Sequence, residues 1–476
     1  MLTATLMIIC SCSDDDNFSV QSDHILTFST DTVKLDTAFS NIPTPTYSFW
    51  VYNRSGDGIR CLRVSLENGN QTGFRVNVDG TYLGESVGFQ TSNVEIRNKD
   101  SIRVFVELTS PMSITQSIKK VQDNLIFTLE SGVTQKVNLN AYSWDATLLK
   151  NPCILKDSTL SGSKPIVIYG GLTVNSAATL TIAAGTTLYF HNNAGLDVYG
   201  RLVTSGTADK NVVLRGDRID HMFDNLPYDN VSGQWQGIHF HASSYGNILT
   251  YTDVHSTYNG IVADSADVNQ LKLSLISSTV HNCQGYGVML INNKTIFENC
   301  QLTNTLYDCL YVNGGICKIN NCTLAQFYPF DTNRGATLRF SGTHTSLSLQ
   351  CLNTLITGYA DDVLMGEQGD TAIYAFDYAF DHCVIRTPKI TTIDSLHFTH
   401  VIFENHKDTA STGTRHFIKI DTDNLRYDFR LSDVSSAINA ADSSTAMPYD
   451  RNGLMRKDSP DVGAFEWQEP SKKKFY

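Results

Sequence analysis

Asp308, Asp331, Asp361, Asp362, Asp370 and Asp381 crowd into one stretch of the chain, with Arg334 and Arg386 among them. Carboxylates beside a basic group are the parts of two chemistries. One is calcium-assisted elimination on an acidic polysaccharide, where the ion takes about six to eight oxygens and a basic side chain removes a proton. The other is glycoside hydrolysis by a pair of carboxyl groups. Both demand convergence, about three acids for the ion and two for hydrolysis, and Asp308, Asp361, Asp362 and Arg386 are the catalytic candidates. Asp308 has Gly287 and Asn259 as its approximate counterparts in the preceding repeats, so no continuous acidic ladder is expected.

His239 and His241 in "GIHFHAS" alternate on one strand face, an arrangement able to ligate zinc. No third ligand follows from the spacing. The pair is read as exposed or core-rim histidines, and no metal is expected. Cys300, Cys309, Cys317 and Cys322 raise the same question, answered by the repeat in which they stand.

That repeat reads apolar, any, Asn-like, small, any, apolar, any, Asn-like. Phe297-x-Asn299-Cys300-x-Leu302-x-Asn304 and Ile319-x-Asn321-Cys322-x-Leu324-x-Gln326 fit it. Looser copies start at Leu249, Leu275, Cys351, Phe380 and Phe398, so successive starts lie 26, 22, 22, 32, 29 and 18 residues apart. The small slot reads Thr252, Ser278, Cys300, Cys322, Thr354, Cys383, Val401. Thr, Ser and Val share cysteine's size and not its affinity for soft metals, so these thiols are packing residues stacked along an axis. Cys309 and Cys317 stand off the slot and are assigned to burial or to one cross-link between rungs. The Asn-like slot suits a tight bend with a left-handed backbone, with amides of adjacent coils able to bond each other. Tyr258, Tyr286, Tyr307, Tyr328 and Tyr359 form a further column, read first as a structural ladder and otherwise as a sugar-stacking platform, for which Tyr307, Tyr328 and Tyr359 are the candidates.

Repeats of this length, each giving two or three short strands and no helix, predict an all-β solenoid in which coils hydrogen-bond to their neighbours. We assign residues 146–430 to a parallel β-helix and 431–476 to a capping segment and tail, rich in Asp and Arg, that covers the last open strand edge. Before it, residues 25–145 alternate apolar and polar between turns, which predicts an antiparallel β-sandwich, with a hairpin at Asp79-Gly80.

The 476 residues, 41% of them apolar, suffice for large cores. A formal charge of −12 with no basic stripe beyond Lys472–Lys474 disfavours a nucleic-acid partner, and none is expected. The N-terminal run Leu2–Ile9 is too short to span a bilayer but long enough for a secretion signal. It ends in Ile9-Cys10-Ser11-Cys12, which resembles a bacterial lipoprotein box with Cys12 as the lipidated residue. Residues 1–12 are then a signal peptide and 13–24 a tether, and nine cysteines remain, an odd number.

"FSTDTVKLDTAF" with "FRVNVDG", "LTIAAGTTLYFHNNAGLDVYGRLVTSGTADKNVVLRGDR" with "GQWQGIHF", and "SSAINAAD" followed by "DRNGLMRKDSPDVGAFEW" together resemble the pectate-lyase-like right-handed β-helix lipoproteins of Bacteroidetes. The terminal motif keeps Asp450, Arg451, Gly453, Arg456, Asp461, Gly463 and Glu466. The resemblance implies an Ig-like N-terminal sandwich, a right-handed parallel β-helix, and a monomer held by lipid on the outer face of the outer membrane, binding a polysaccharide or another cell-surface protein. The rival reading is a polysaccharide lyase or glycoside hydrolase acting on an acidic polysaccharide. No cofactor is expected, with Ca2+ entering only under the lyase reading.

Overall fold

The computed structural model describes residues 17–113, 118–162, 164–223, 225–404 and 413–469. Cys10, Cys12 and Lys472–Lys474 lie outside them. The chain divides into two compact units, residues 1–146 and 147–476.

The first unit holds two five-stranded sheets. One orders Leu26–Phe28, Tyr47–Asn53, Ser101–Leu108, Phe74–Val78 and Thr81–Tyr82; the other Thr32–Phe39, Thr134–Trp144, Lys119–Leu129, Ile59–Leu66 and Gln90–Ile96. Their period-two alternation puts Phe49, Val51, Phe74, Val104, Val106, Leu125, Phe127, Val137 and Leu139 into one buried cluster. Asp79 and Gly80 both take positive φ and join Val78 to its partner Thr81, the geometry of a tight hairpin turn. The expected all-antiparallel pairing is corrected at one place: Thr32–Phe39 runs parallel to Thr134–Trp144.

The second unit is a solenoid-like stack of parallel strands. Each coil visits three columns in turn. The first column runs from Thr147–Lys150 through Thr252–His255, Thr279–Cys283, Gln301–Thr305, Thr323–Gln326 and Leu355–Gly358 to Ile402–Phe403. The second includes Leu196–Val198, Ile238–Phe240, Ile261–Ala263, Leu338–Ser341 and Leu364–Glu367, and the third Asn247–Thr250, Leu271–Ile276, Leu347–Leu352 and Phe376–Asp381. Val288–Glu298 and Leu310–Asn320 pass unbroken from the second column into the third. The seven repeat starts Leu249, Leu275, Phe297, Ile319, Cys351, Phe380 and Phe398 lie over one another in that order. Their side chains belong to the single core that fills the stack.

The corner between the third and first columns explains the repeat. Tyr251, Ser277, Asn299, Asn321, Asn353, His382 and His400, the Asn-like slot of every copy, all take φ between 45° and 54°. Asn is the commonest choice there because its short polar side chain tolerates the left-handed region. The residue that follows is the small slot. Its γ atom reaches back over the bend to the carbonyl two residues earlier: Thr252 Oγ1 to Thr250, Ser278 Oγ to Ile276, Cys300 Sγ to Glu298, Cys322 Sγ to Asn320, Thr354 Oγ1 to Leu352 and Cys383 Sγ to Asp381, at 2.7–3.4 Å. The same atom accepts a backbone N–H from the preceding coil, as Ser278 does from Thr252, Cys322 from Cys300 and Thr354 from Cys322. Size alone therefore does not define the slot. It calls for a small side chain with one hydrogen on its γ atom, and only Val401, in the last coil, lacks it.

Residues 413–469 correct two expectations. They do not end at the last open coil but run back along the flank of the first column. Phe417, Phe429, Leu431, Ala437, Val462, Ala464 and Phe465 bury that column's outward Ala325, Phe327, Leu355 and Val384. The corner asparagines serve this segment more than each other. Asn299 donates to the Tyr449 carbonyl, Asn321 accepts from Met447 N–H, and Asn353 accepts from Asp442 N–H. Among the three, Asn353 also reaches a side-chain amide of the preceding coil, donating to Asn320 Oδ1. The motif residues are the clasp. Arg456, buried, binds Glu466 at 3.2 Å, the carbonyls of Asp461 and Gly463, and Asn299 Oδ1 at 3.0 Å. Gly463 has φ +105°, and a Cβ there would stand 2.9 Å from Thr323 Oγ1, so the close approach needs glycine.

Candidate ligand-binding face

The three columns differ in what covers them. The first is buried on both faces where the C-terminal segment lies on it, as in Leu355–Gly358. The second alternates buried and open, and its outward row, read by lateral pairing, is Asp197, His239, Val262, Met289, Tyr311, Arg339, Met365. Ionisable and aromatic groups collect on this row.

At its C-terminal half, Tyr286 lies 5.2 Å edge-on from Tyr307 and 5.8 Å from Tyr311, ring centre to ring centre, and Tyr307 is 45% exposed. Beside them Arg339 bridges two acids, with Nε 2.8 Å from Asp308 Oδ2 and Nη1 2.7 Å from Glu367 Oε1. Asp308 is buried and also accepts the Ala336 N–H at 2.6 Å, whereas Glu367 remains 37% exposed. Burial, and after it the Asp308 charge, raises the Tyr286 hydroxyl above its ordinary pKa, and burial followed by Glu367 does so for Tyr311. Both phenols are therefore neutral donors at physiological pH. Flat rings next to charged donors and acceptors suit a hydroxyl-rich ligand.

Of the proposed catalytic set, Asp308 alone reaches this face, and it is engaged by Arg339. Asp361 is well exposed with its carboxylate 3.6 Å from Arg386 Nη2. Asp362 accepts the Leu364 N–H. Arg386 is turned inward, onto the buried Glu404 and the Ala360 carbonyl. Asp331 and Asp370 close local turns through Asn333 and Ala372. Among the described residues, each group able to share one ion holds one aspartate and two histidines, so the three-acid convergence a calcium-assisted lyase requires is not formed.

The tyrosine column is broken. Tyr286 and Tyr307 touch, but Tyr328 is buried with its hydroxyl 2.7 Å from Ser232, and Tyr359 packs edge-on against Phe327 under Arg334. Tyr258 is exposed. All nine described cysteines are free, eight of them buried, so Cys309 and Cys317 form no cross-link. Burial pushes the Cys283 and Cys309 thiols up to about 12.

Tyr311, Arg339 and Glu367 escaped sequence reading. The signal was present in "LYVNG", "LRFS" and "LMGE", whose second positions Tyr311, Arg339 and Met365 share the outward row with Glu367 two residues on, but those runs do not follow the Asn-then-small order that made the corner repeat visible. No known protein family matches the chain, and no curated protein is similar to it in sequence.

Proposed function

We propose that this chain is a surface-anchored, glycan-binding protein. On this reading Cys12 carries lipid at the outer membrane, facing the cell exterior; the first unit is an Ig-like sandwich; the second is a right-handed parallel β-helix. It works as a monomer without a catalytic site and holds a polysaccharide, or the glycan of a neighbouring surface protein, against the open second column. The observation that carries the reading is the meeting of Tyr286, Tyr307 and Tyr311 beside the Asp308–Arg339–Glu367 relay on the outward row. The relay argues for binding over hydrolysis, since both acids are tied to one guanidinium and neither is positioned as a proton donor.

The test is affinity electrophoresis and calorimetry of the purified chain against neutral and acidic polysaccharides, with and without calcium. Tyr307→Ala and Tyr311→Ala are expected to weaken binding of the retained glycan by about tenfold each, about 1.4 kcal/mol. Tyr258→Ala, off the cluster, is expected to leave it unchanged. Release of oligosaccharide products would replace this reading with the lyase or hydrolase one, and equal retention by all three variants would move the site elsewhere.

A further inference from the structure

The outward row continues past Met289 to a second cluster. Asp197 and His239 are lateral partners on adjacent coils. His241 follows two residues on, on the same face, and Asp264 comes from the coil after, its N–H bonded to the Phe240 carbonyl. His241 Nε2 lies 2.8 Å from Asp197 Oδ1 and His239 Nε2 2.9 Å from Asp264 Oδ1. The remaining ring nitrogens also face carboxylates, His239 Nδ1 at 3.9 Å from Asp197 and His241 Nδ1 at 3.7 Å from Asp264. One ligand atom each from Asp197, His239 and His241 lies within 4.8 Å of the other two, close enough for the three to share one cation.

The surroundings hold the four groups in place. The Tyr199 ring stacks on His241 at 3.9 Å and 2°, and Lys272 donates to the main-chain carbonyl of His241. Side-chain exposures of 20–45% leave the cluster open on its solvent side.

Two clusters of the same residue types differ in ways that matter. In the Asp253–His255–His281 group both nitrogens of His255 are already bonded to carboxylates at 2.8–2.9 Å, Arg215 adds a cation to Asp229, and His255 is closed to solvent. In the Asp381–His382–His400 group both imidazoles already face the same oxygen, Asp381 Oδ1, at 3.0 and 3.1 Å, and His400 is largely exposed.

We infer that Asp197, His239 and His241, with the Asp264 carboxylate beside them, form a binding site for a divalent transition-metal ion of the zinc class, with an open position toward solvent. Two imidazole nitrogens select Zn2+, Co2+ or Ni2+ over the oxygen-seeking Ca2+ and Mg2+, and two carboxylates balance the charge of the ion. The site stands three strand spacings from Tyr311 along the row, roughly 14 Å. Its open position suits an anionic group such as a sugar carboxylate. The metal site itself does not depend on the glycan reading.

The experiment is metal titration of the chelator-stripped full chain, purified without a histidine tag, by calorimetry and by competition with a chromophoric chelator. One Zn2+ per chain is expected, with visible absorption on loading Co2+ and no comparable binding of Ca2+. His239→Ala and His241→Ala are expected to weaken Zn2+ by at least about tenfold, and His382→Ala/His400→Ala to leave it unchanged. Circular dichroism checks the fold, and Asp264→Asn serves in place of any histidine variant that does not fold. Failure to bind Zn2+, affinity indifferent to every one of these cluster variants, or loss only in the His382/His400 variant each overturns the assignment.

Discussion

At the scale of single residues, the second unit holds His255 as an internal cation. Burial by itself lowers its pKa, but Asp253 and Asp229 outweigh that and raise it to about 9. The same contacts hold Asp253 well below the ordinary carboxylate range and Asp229 down to about 2, against the burial that opposes both. The sign follows from linkage. A folded-state pKa of about 9 against 6.5 unfolded means the His255 contribution is complete below about pH 6.5 and disappears as pH rises through 9. The aspartates' contribution is present above about pH 4 and lost as pH falls toward 2. Denaturant unfolding followed from pH 6 to 10 should therefore show the second unit losing about 3 kcal/mol. His255→Gln should flatten that alkaline slope while lowering stability at pH 6. A slope equal in the two proteins would refute the network's role.

At the scale of elements, the corner between the third and first columns is the repeating device. A left-handed residue turns the chain, and the next side chain ties the turn to its own strand and to the coil before. This makes cysteine a hydrogen-bonding residue here, which separates two substitutions of similar size. Cys322→Ser keeps a γ hydrogen and an acceptor and should cost about 1 kcal/mol or less. Cys322→Val removes both and leaves the Cys300 N–H buried without a partner, at about 2 kcal/mol. Thermal unfolding of the pair decides the matter: if valine melts level with serine, the slot is a matter of packing alone. The corner was legible in the sequence because its demands are local. A positive φ restricts the residue type and a γ hydrogen restricts its neighbour, whatever the rest of the fold does. The tyrosine column was misread because a regular spacing places rings at the same corner but does not say how loops of different length aim them. The inserted segment around Phe330–Arg334 buries Tyr328 against Ser232.

At the scale of the whole molecule, each unit carries its own core, and in the second unit the C-terminal segment decides which face is left open. By covering the first column and clasping the corners it leaves the second column's outward row open. The clasp hinges on the Arg456–Glu466 pair, both fully enclosed. Arg456→Ala strands the Glu466 carboxylate and should cost about 3–5 kcal/mol. It should also free the segment, seen as early proteolytic cleavage C-terminal to Leu431 while the coils remain folded. An unchanged cleavage pattern would show that apolar contacts around Phe429 and Phe465 suffice.

The amino-acid order alone determined the all-β class, the coil repeat, the stacking of Leu249 through Phe398 and the structural character of the corner cysteines. Those follow from period-two alternation and from backbone angles that few residues accept, and both are properties of short stretches. Only the tertiary structure decided that Asp197 and Asp264 complete a histidine pair, that Arg339 links Asp308 to Glu367, and that the terminal segment lies along a flank. Coils of 18 to 32 residues bring side chains together through lateral register, and register depends on how each intervening loop closes. No stretch of sequence contains that information by itself.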